Sequence, residues 1–306
     1  MFKWVQRRVY AAYERLLKRE ISGAPAHVAV IQDGNRRYAS KQDAGSSEGY
    51  QAGAKTTEEV LNWCKEIGVE ELTLYTFSTE NFDRPGHEQE VVFDLLEEKL
   101  YEFSDDDRVH DSEVCIRVIG EVERLPERVR KAVEYAEHQT AHYDKFTLNI
   151  ALAYGGRNEL LGAAREVVRA VERDELDPED IDVSEIENRI YDRPLRNVDL
   201  IIRTGGDERT SNFLPWYANG NEAAVFFCTP YWPEFSRVDF LRAVRTYESR
   251  EKSWRRTRAK RALALLKAFG DVELTEAHAT VEKFRNRMPE GLKADEQTIE
   301  ELEVDS

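Results

Sequence analysis

The chain has 306 residues, of which 41% are hydrophobic and 34% are charged. It is therefore long enough for one large α/β domain or two small ones, with a sizeable core. Its formal net charge of −16 disfavours nucleic acid as a partner and suits a protein with a strongly acidic surface. No stretch reaches the roughly 18 apolar residues of a membrane span, and no signal-peptide pattern opens the chain. We therefore expect a cytoplasmic protein.

The N-terminal segment, residues 1–24, predicts a basic amphipathic helix. Apolar residues recur at spacings of three to four over residues 1–21 with basic residues between them, and Ser22–Pro25 is a stop signal. Such a helix can lie peripherally on the inner face of the cell membrane. It can equally pack on the domain with its basic side in water, and the sequence leaves both interpretations open.

After this segment, short apolar runs alternate with helical patterns. The predicted strands cover residues 28–31, 72–77, 114–119, 146–153, 198–202 and 223–228, and the predicted helices cover residues 48–67, 87–103, 127–142, 157–173, 184–191 and a stretch from 238. This alternation predicts a single α/β domain with a mostly parallel central β-sheet flanked by helices on both faces. We assign residues 25–255 to this domain and residues 256–306 to a C-terminal helical extension with an acidic, flexible end.

Three of these strands end in loops of the same chemical kind, namely Asp33–Arg37, Ser78–Arg84 and Arg203–Phe213. Each loop carries arginine with hydroxyl or amide groups, which are the residue types that bind phosphate oxygens. Glycines in the first and third loops let backbone N–H groups approach an anion. Because the carboxyl ends of parallel strands meet at one edge of a sheet, the loops predict a diphosphate site there. We expect its arginines to be unpaired by local acids.

Four segments carry a resemblance to a known family: HVAVIQDGNRRYA, YTFSTENFDRP, LNIALAYGGRNE and DLIIRTGGDERTSNFLPW. Together they closely resemble the cis-prenyltransferases, the undecaprenyl and dehydrodolichyl diphosphate synthases, over about residues 25–250. The DGNRRYA wording is similar to archaeal members, and the acidic composition suggests a haloarchaeal one.

The resemblance implies Mg²⁺-dependent, sequential addition of isopentenyl diphosphate to an allylic primer, either geranylgeranyl or farnesyl diphosphate. The implied product is a long-chain, undecaprenyl-like Z-polyprenyl diphosphate, the precursor of a glycosyl carrier lipid. The family likeness also implies a homodimer and an elongated hydrophobic tunnel for the growing chain. The alternative is a non-catalytic partner subunit of a heteromeric enzyme. Primer preference and product length stay open.

The resemblance also assigns roles to single residues. Asp33 and Asn81 are the implied catalytic residues: Asp33 helps to place Mg²⁺ on the primer diphosphate, and Asn81 orients the departing proton. Glu222 is the implied second metal ligand. The implied substrate-binding residues are Gly34, Asn35, Arg36, Arg37 and Tyr38 in the first loop, Ser78, Thr79, Glu80, Phe82 and Arg84 in the second, and Arg203, Arg209, Thr210 and Ser211 in the third.

Two departures from the family pattern affect these assignments. Ser46 and Tyr50 stand where bacterial relatives carry Arg and His, which weakens those two phosphate contacts. The C-terminal Arg-x-Gly motif is missing, and residues 254–257 occupy roughly its place. We therefore assign no residue to that motif.

Overall fold

The computed structural model describes residues 13–191, 195–219 and 223–268, with side chains up to residue 252 apart from that of residue 219. The predictions for residues 1–12, for Glu222 and for the chain beyond residue 268 lie outside these ranges, as do the side chains of residues 254–257. The chain divides into two units, Met1–Arg250 and Glu251–Ser306. The fold described below is that of the first unit, and the predicted domain bounds stay a prediction.

The described residues contain one six-stranded sheet in the order β3-β4-β2-β1-β5-β6, and every pairing in it is parallel. Its strands are β1 His27–Ile31, β2 Glu71–Tyr75, β3 Val114–Ile119, β4 Phe146–Ala151, β5 Leu200–Arg203 and β6 Ala224–Phe227. Residues of β1 and β5 are buried throughout, as expected for parallel strands covered on both faces. The predicted α/β fold is confirmed.

Ten α-helices accompany the sheet in the described residues. They are α1 at 13–20, α2 Asn35–Lys41, α3 Ser46–Ile67, α4 Gly86–Ser104, α5 Asp107–Asp111, α6 Glu127–Thr140, α7 Gly156–Glu172, α8 Val183–Ile190, α9 Pro215–Asn219 and α10 Arg237–Ala268. Short 3-10 helices cover Thr79–Asp83, Val122–Arg124, Pro178–Asp180 and Trp232–Glu234. Val28 and Val30 of β1 join the core beneath α3, α4 and α6, whereas Ala29 and Ile31 join the core beneath α8 and α9. Helices therefore cover both faces of the sheet.

Helix α2 is the main difference from the predicted elements, because its residues were expected to form a turn and a loop. It has only seven residues, which is too short to show a helical period or to be stable in isolation. It follows Gly34, whose φ of 103° lies in the left-handed region. The chain therefore turns sharply out of β1 and enters a helix within four residues of it.

Two further expectations concern membranes and product. Leu17 of α1 is fully buried against Val238 and Leu241 of α10, so the described part of the N-terminal segment packs on the domain. Among the described helices, none has an apolar stretch long enough to cross a bilayer. Val92 and Leu96 of α4 are buried in the core, and the product tunnel stays a prediction.

Candidate active site

The three predicted loops meet at one edge of the sheet. Strand β1 pairs with β2 on one side and with β5 on the other, and Ile31 is in register with both Tyr75 and Arg203. The chain passes from β1 to β2 in one direction and later returns to β5 on the opposite side. That change of direction opens a crevice at the carboxyl ends of β1 and β5, where open α/β sheets bind ligands.

Asp33 lies in this crevice between two arginines. Its Oδ1 accepts a hydrogen bond from Arg37 Nη2 at 2.9 Å, and its Oδ2 accepts one from Arg203 Nη2 at 2.8 Å. Burial by itself raises the pKa of Asp33, but the hydrogen bonds and charges of Arg203 and Arg37 outweigh it and lower that pKa below its ordinary value. The Asp33 carbonyl accepts from Thr204 Oγ1 at 2.8 Å and from the Trp232 N–H at 2.9 Å. Asp33 is therefore an ionised carboxylate on a fixed backbone.

Arg203 joins the first and third loops. Its side chain is only 4% exposed, and its Nη2 donates to Asp33 and also to Asp207 Oδ2 at 3.1 Å. Its Nη1 donates to the Arg209 carbonyl at 2.6 Å and to Ser211 Oγ. The expectation that the arginines lack local acids is wrong for Arg203 and Arg209, because Asp207 lies within salt-bridge distance of both and Asp33 within that distance of Arg203.

Gly34 and Tyr231 form the support beneath the first loop. A Cβ at Gly34 would lie 2.6 Å from Tyr231 Cδ1, so only glycine allows this close approach as well as the left-handed φ. The guanidinium of Arg37 lies 5.4 Å from the centroid of the same ring, and Lys41 Nζ lies 5.8 Å from it. Tyr231 therefore supports both the turn and a cation beside Asp33.

Helix α2 presents the other predicted residues of the first loop. Arg36 is exposed and forms a 2.8 Å ion pair with Glu88 of α4, and Tyr38 is half-buried. Asn35 Oδ1 is buried without a partner in the described residues, facing Gly53 of α3. The first-turn N–H groups of a helix have no acceptor within it and favour an anion, so the start of α2 is suited to a phosphate.

The glycines of the third loop do not serve as expected. The N–H of Gly205 donates to the Pro230 carbonyl at 2.7 Å, and that of Gly206 donates to the Cys228 carbonyl at 3.0 Å. Both N–H groups are therefore already bonded within the protein, and the expectation that they face an anion is wrong. Both residues have a left-handed φ, 86° and 82°, so the glycines serve the shape of the loop.

The second loop is a 3-10 helix with a capping box. Asn81 Oδ1 accepts from the Ser78 N–H at 3.1 Å, and the Ser78 side chain accepts from the backbone at Asn81. The Thr79 N–H donates to the Tyr154 carbonyl at 2.9 Å, and Glu80 is exposed. Because the amide oxygen of Asn81 caps the turn, its Nδ2 is the group that remains to orient a ligand.

The end of the second loop faces two other elements. Phe82 packs edge-on against Phe77, and the guanidinium of Arg124 lies 4.4 Å from the Phe82 ring centroid. Arg84 Nη1 donates to Tyr50 Oη of α3 at 2.9 Å. Tyr50 therefore orients Arg84 by a hydrogen bond.

The third loop adds an exposed arginine and two hydroxyl groups. Arg209 is 66% exposed and pairs with Asp207 at 3.0 Å, whereas Thr210 and Ser211 are half-buried. Ser211 has a φ of 48°, which residues with a Cβ rarely adopt. This loop thus places a hydroxyl, a buried guanidinium and an exposed guanidinium together.

The donor set is compatible with a magnesium ion held partly by substrate. Mg²⁺ is usually bound through one or two carboxylates together with substrate phosphates, and Asp33 is an ionised carboxylate that is 28% exposed. Asp207 bonds to the same Arg203 nitrogen as Asp33, so a second carboxylate lies nearby. Within the described residues no cluster of three metal-ligating side chains exists. The predicted ligand Glu222 lies outside them.

Comparisons with known proteins agree with this geometry. The family model of undecaprenyl diphosphate synthase matches residues 31–255. This chain belongs to that family, the cis-prenyltransferases. It is 65% identical over 280 residues, 92% of either chain, to the tritrans,polycis-undecaprenyl-diphosphate synthase (geranylgeranyl-diphosphate specific) of Haloarcula marismortui. It is 66% identical over 280 residues, again 92% of either chain, to the protein of that name from Halobacterium salinarum.

A solved structure supports the same assignment. Lavandulyl diphosphate synthase from Lavandula x intermedia, in complex with dimethylallyl diphosphate, matches with a TM-score of 0.67 and 30% identity. The match covers 73% of this chain and 95% of that one. The chain is thus an enzyme that transfers prenyl groups, a polyprenyl diphosphate synthase with haloarchaeal relatives.

Sequence reasoning missed three residues of this cis-prenyltransferase that contact the site. Tyr231 supports the first loop, Asp207 pairs with two arginines, and Asn212 holds the third loop against α7. Asp207 lies within the RTGGDER wording, so its charge was a usable signal. The other two were hidden, because their partners are distant in sequence.

Proposed function

We propose that this chain catalyses the sequential, Mg²⁺-dependent condensation of isopentenyl diphosphate onto geranylgeranyl diphosphate, giving a long-chain, undecaprenyl-like Z-polyprenyl diphosphate. The observation that carries the proposal is the Asp33 carboxylate held between Arg37 and Arg203 where β1 and β5 end. The names of the two haloarchaeal relatives support geranylgeranyl diphosphate over farnesyl diphosphate as the primer.

Two diphosphates require two cationic sites, and the crevice offers both. The start of α2 suits the primer diphosphate, because its first turn has free N–H groups and carries Arg36 and Arg37, whose guanidinium groups are both exposed. Arg203, Arg209 and Ser211 suit isopentenyl diphosphate. When a diphosphate binds, the exposed arginines exchange their carboxylate partners for phosphate oxygens. The exchange costs little, because arginine forms charge-assisted hydrogen bonds to both groups.

The metal would be held by Asp33, with Glu222 as the further ligand that the family resemblance implies. When bound, Mg²⁺ draws negative charge from the leaving diphosphate. Asp33 is suited to it because its lowered pKa keeps the carboxylate ionised at neutral pH. Asn81 Nδ2 and the Ser78 hydroxyl line the space between the two diphosphates and orient the substrate carbon chain and its departing proton.

The test is incubation of the pure protein with radiolabelled isopentenyl diphosphate, geranylgeranyl diphosphate and Mg²⁺, at low and high salt. We expect labelled products longer than the primer, and faster elongation from geranylgeranyl than from farnesyl diphosphate. Chromatography of the dephosphorylated product measures its length. No elongation at either salt concentration would contradict the proposal and favour the alternative of a non-catalytic partner subunit.

We also propose that the enzyme is a homodimer. Leu161 and Val168 of α7 are 54% and 55% exposed, and at a spacing of seven residues they lie on one face of the helix. Light scattering should give a dimer for the native chain, and Leu161→Glu together with Val168→Glu should give a monomer. A native monomer at working concentration would refute this assignment.

We propose further that the product is the precursor of a glycosyl carrier lipid and that the enzyme contacts the inner face of the membrane. The basic N-terminal segment supports the membrane contact, since Lys and Arg are attracted to anionic lipid. Removal of residues 1–12 should reduce co-sedimentation with anionic vesicles and leave elongation of the soluble primer unchanged. Equal sedimentation of both proteins would contradict membrane contact by that segment.

A further inference from the structure

None of the predicted substrate-binding residues lies in the segment LNIALAYGGRNE. It forms the end of β4 and the start of α7, and its Tyr154 is completely buried. Gly155 lies close to the second and third loops, since a Cβ on it would lie 2.8 Å from Thr79 Oγ1 and 3.7 Å from Asn212 Nδ2. The segment therefore contacts the loop that carries Ser211.

That loop has an unusual backbone. Ser211, Asn212 and Leu214 have φ values of 48°, 61° and 45°. Left-handed φ values are unfavourable for residues with a Cβ, and several in one short stretch persist only where neighbouring groups hold them. The loop therefore needs contacts that fix this conformation.

The start of α7 supplies these contacts. The Gly156 N–H donates to the Asn212 carbonyl at 3.0 Å, and the Arg157 N–H donates to Asn212 Oδ1 at 2.9 Å. Asn212 thus caps α7 from 55 residues away in sequence and satisfies two N–H groups that the helix leaves free. One asparagine therefore ties the loop to the helix through both its backbone and its side chain.

A second contact holds the other end of the loop. The Leu214 N–H donates to Tyr154 Oη at 3.3 Å, and Tyr154 Oη donates to Glu159 Oε2 at 2.7 Å. Phe213, between the two contacts, stacks on Tyr75 of β2 at 4.6 Å between centroids. The loop is therefore fixed on both sides of Phe213.

The conformation of this loop decides where two ligand-binding groups lie. Ser211 Oγ and the Arg209 carbonyl both accept hydrogen bonds from Arg203 Nη1. If the loop relaxed from its left-handed backbone, Ser211 would rotate and Arg203 would lose acceptors on one side of its guanidinium. The cap at α7 is therefore linked to the buried arginine through Ser211 and the Arg209 carbonyl.

We propose that Asn212 is a positioning residue for the isopentenyl diphosphate half of the site. By capping α7 it keeps Ser211 and Arg203 aimed into the crevice, and it touches neither substrate itself. The inference rests on the proposed function, because it assigns the third loop to isopentenyl diphosphate. It explains why the AYGG segment, which holds no substrate-binding residue, accompanies the three ligand loops.

The test compares Asn212→Gly with Asn212→Asp at high salt, where added charge is screened. Glycine tolerates the left-handed φ but removes the side-chain cap, whereas aspartate retains an acceptor that helix N-termini favour. For Asn212→Gly we expect the KM for isopentenyl diphosphate to rise about tenfold, because the variant loses the side-chain hydrogen bond to the Arg157 N–H and gives the loop backbone more freedom. The KM for the allylic primer should change less than about twofold, and Asn212→Asp should stay within about threefold of the native chain for both substrates.

Circular dichroism and thermal unfolding of each variant establish that the proteins compared are folded. An unchanged KM for isopentenyl diphosphate in folded Asn212→Gly would overturn the inference. An equal rise in the KM for both substrates would also overturn it, because a merely structural role affects both substrates alike. An equal rise in the KM for isopentenyl diphosphate in Asn212→Gly and Asn212→Asp would do the same, because the cap is retained in the second variant. The native chain in the same assay separates the two failures, because absence of its turnover refutes the proposed function instead.

Discussion

The first and third loops hold their arginines in opposite ways. Arg36 and Arg37 of the first are 51% and 45% exposed, and each has one carboxylate partner. Arg203 of the third is 4% exposed and has four acceptors, one from the first loop and three from the third. Exposed ion pairs contribute little to stability, so their arginines can change partners at small cost. A buried arginine changes partners only for another charged group, because an unpaired buried charge is expensive.

This difference matches the two proposed substrates. The primer lengthens in every cycle, so its diphosphate must bind and leave in a site that adapts. Isopentenyl diphosphate is the same molecule in every cycle, and a rigid site for it has no disadvantage. The comparison predicts that substitutions in the rigid third loop reduce activity more than equivalent substitutions at exposed arginines. Asp33 is a separate case, because it contacts arginines of both loops.

The largest effect should come from Asp33. Asp33→Ala removes the carboxylate that contacts Arg37 and Arg203, and we expect turnover to fall by about a thousandfold or more, as for loss of a metal-binding catalytic group. Steady-state elongation measures it. The control is Asp207→Asn, because Asp207 contacts the same nitrogen of Arg203. Its turnover should fall by less than about tenfold. Retained activity in folded Asp33→Ala would overturn its role.

The next effect compares two arginines of one loop. Arg203→Lys leaves a single ammonium where a planar fork serves four acceptors. We expect kcat/KM for isopentenyl diphosphate to fall by about a hundredfold. For Arg209→Lys, at a 66% exposed position, the same kcat/KM should fall by less than about tenfold. Equal losses would remove the distinction between the rigid and the exposed cation.

A smaller effect should come from the support of the first loop. Tyr231→Leu removes the ring beneath Gly34 and Arg37, and we expect the KM for the primer to rise about tenfold. Tyr231→Phe retains the ring and should behave like the native chain. If both variants match the native chain, Tyr231 does not support the primer site.

The smallest effect concerns stability at the support of the third loop. Burial raises the pKa of Glu159 to about 8 from an ordinary 4.5, although the hydrogen bond from Tyr154 opposes the shift. Its folded pKa lies above its unfolded pKa, so the folded state retains the proton longer and stability falls as pH rises between those values. Glu159→Gln should therefore be more stable than the native chain at high pH by about 1–2 kcal/mol and nearly equal to it at about pH 5.

Denaturant unfolding at fixed high salt measures this difference at both pH values. A difference of the same size at both would show that Glu159 does not titrate in this range. Glu166 of the same helix, exposed and paired with Arg169, offers the matched control, since Glu166→Gln should change stability little at either pH.

Much of the fold followed from local patterns. All six strands were expected from short apolar runs, because a parallel strand covered on both faces must be apolar along its length. Helices α2, α5 and α9 were missed, since elements of seven and five residues carry no readable period. Their conformations are set by what surrounds them, such as the left-handed Gly34 and the contact with Tyr231.

The sequence by itself determined the sheet, the three loops and the kind of ligand they suit, because these depend on residue type and order along the chain. Only the tertiary structure decided which groups pair. Asp33 and Arg203 are 170 residues apart, and Asn212 caps a helix 55 residues before it. Pairing energies depend on distance and burial, which the order of residues does not specify, so Arg203 and Arg209, expected to lack acidic partners, proved to be paired with them.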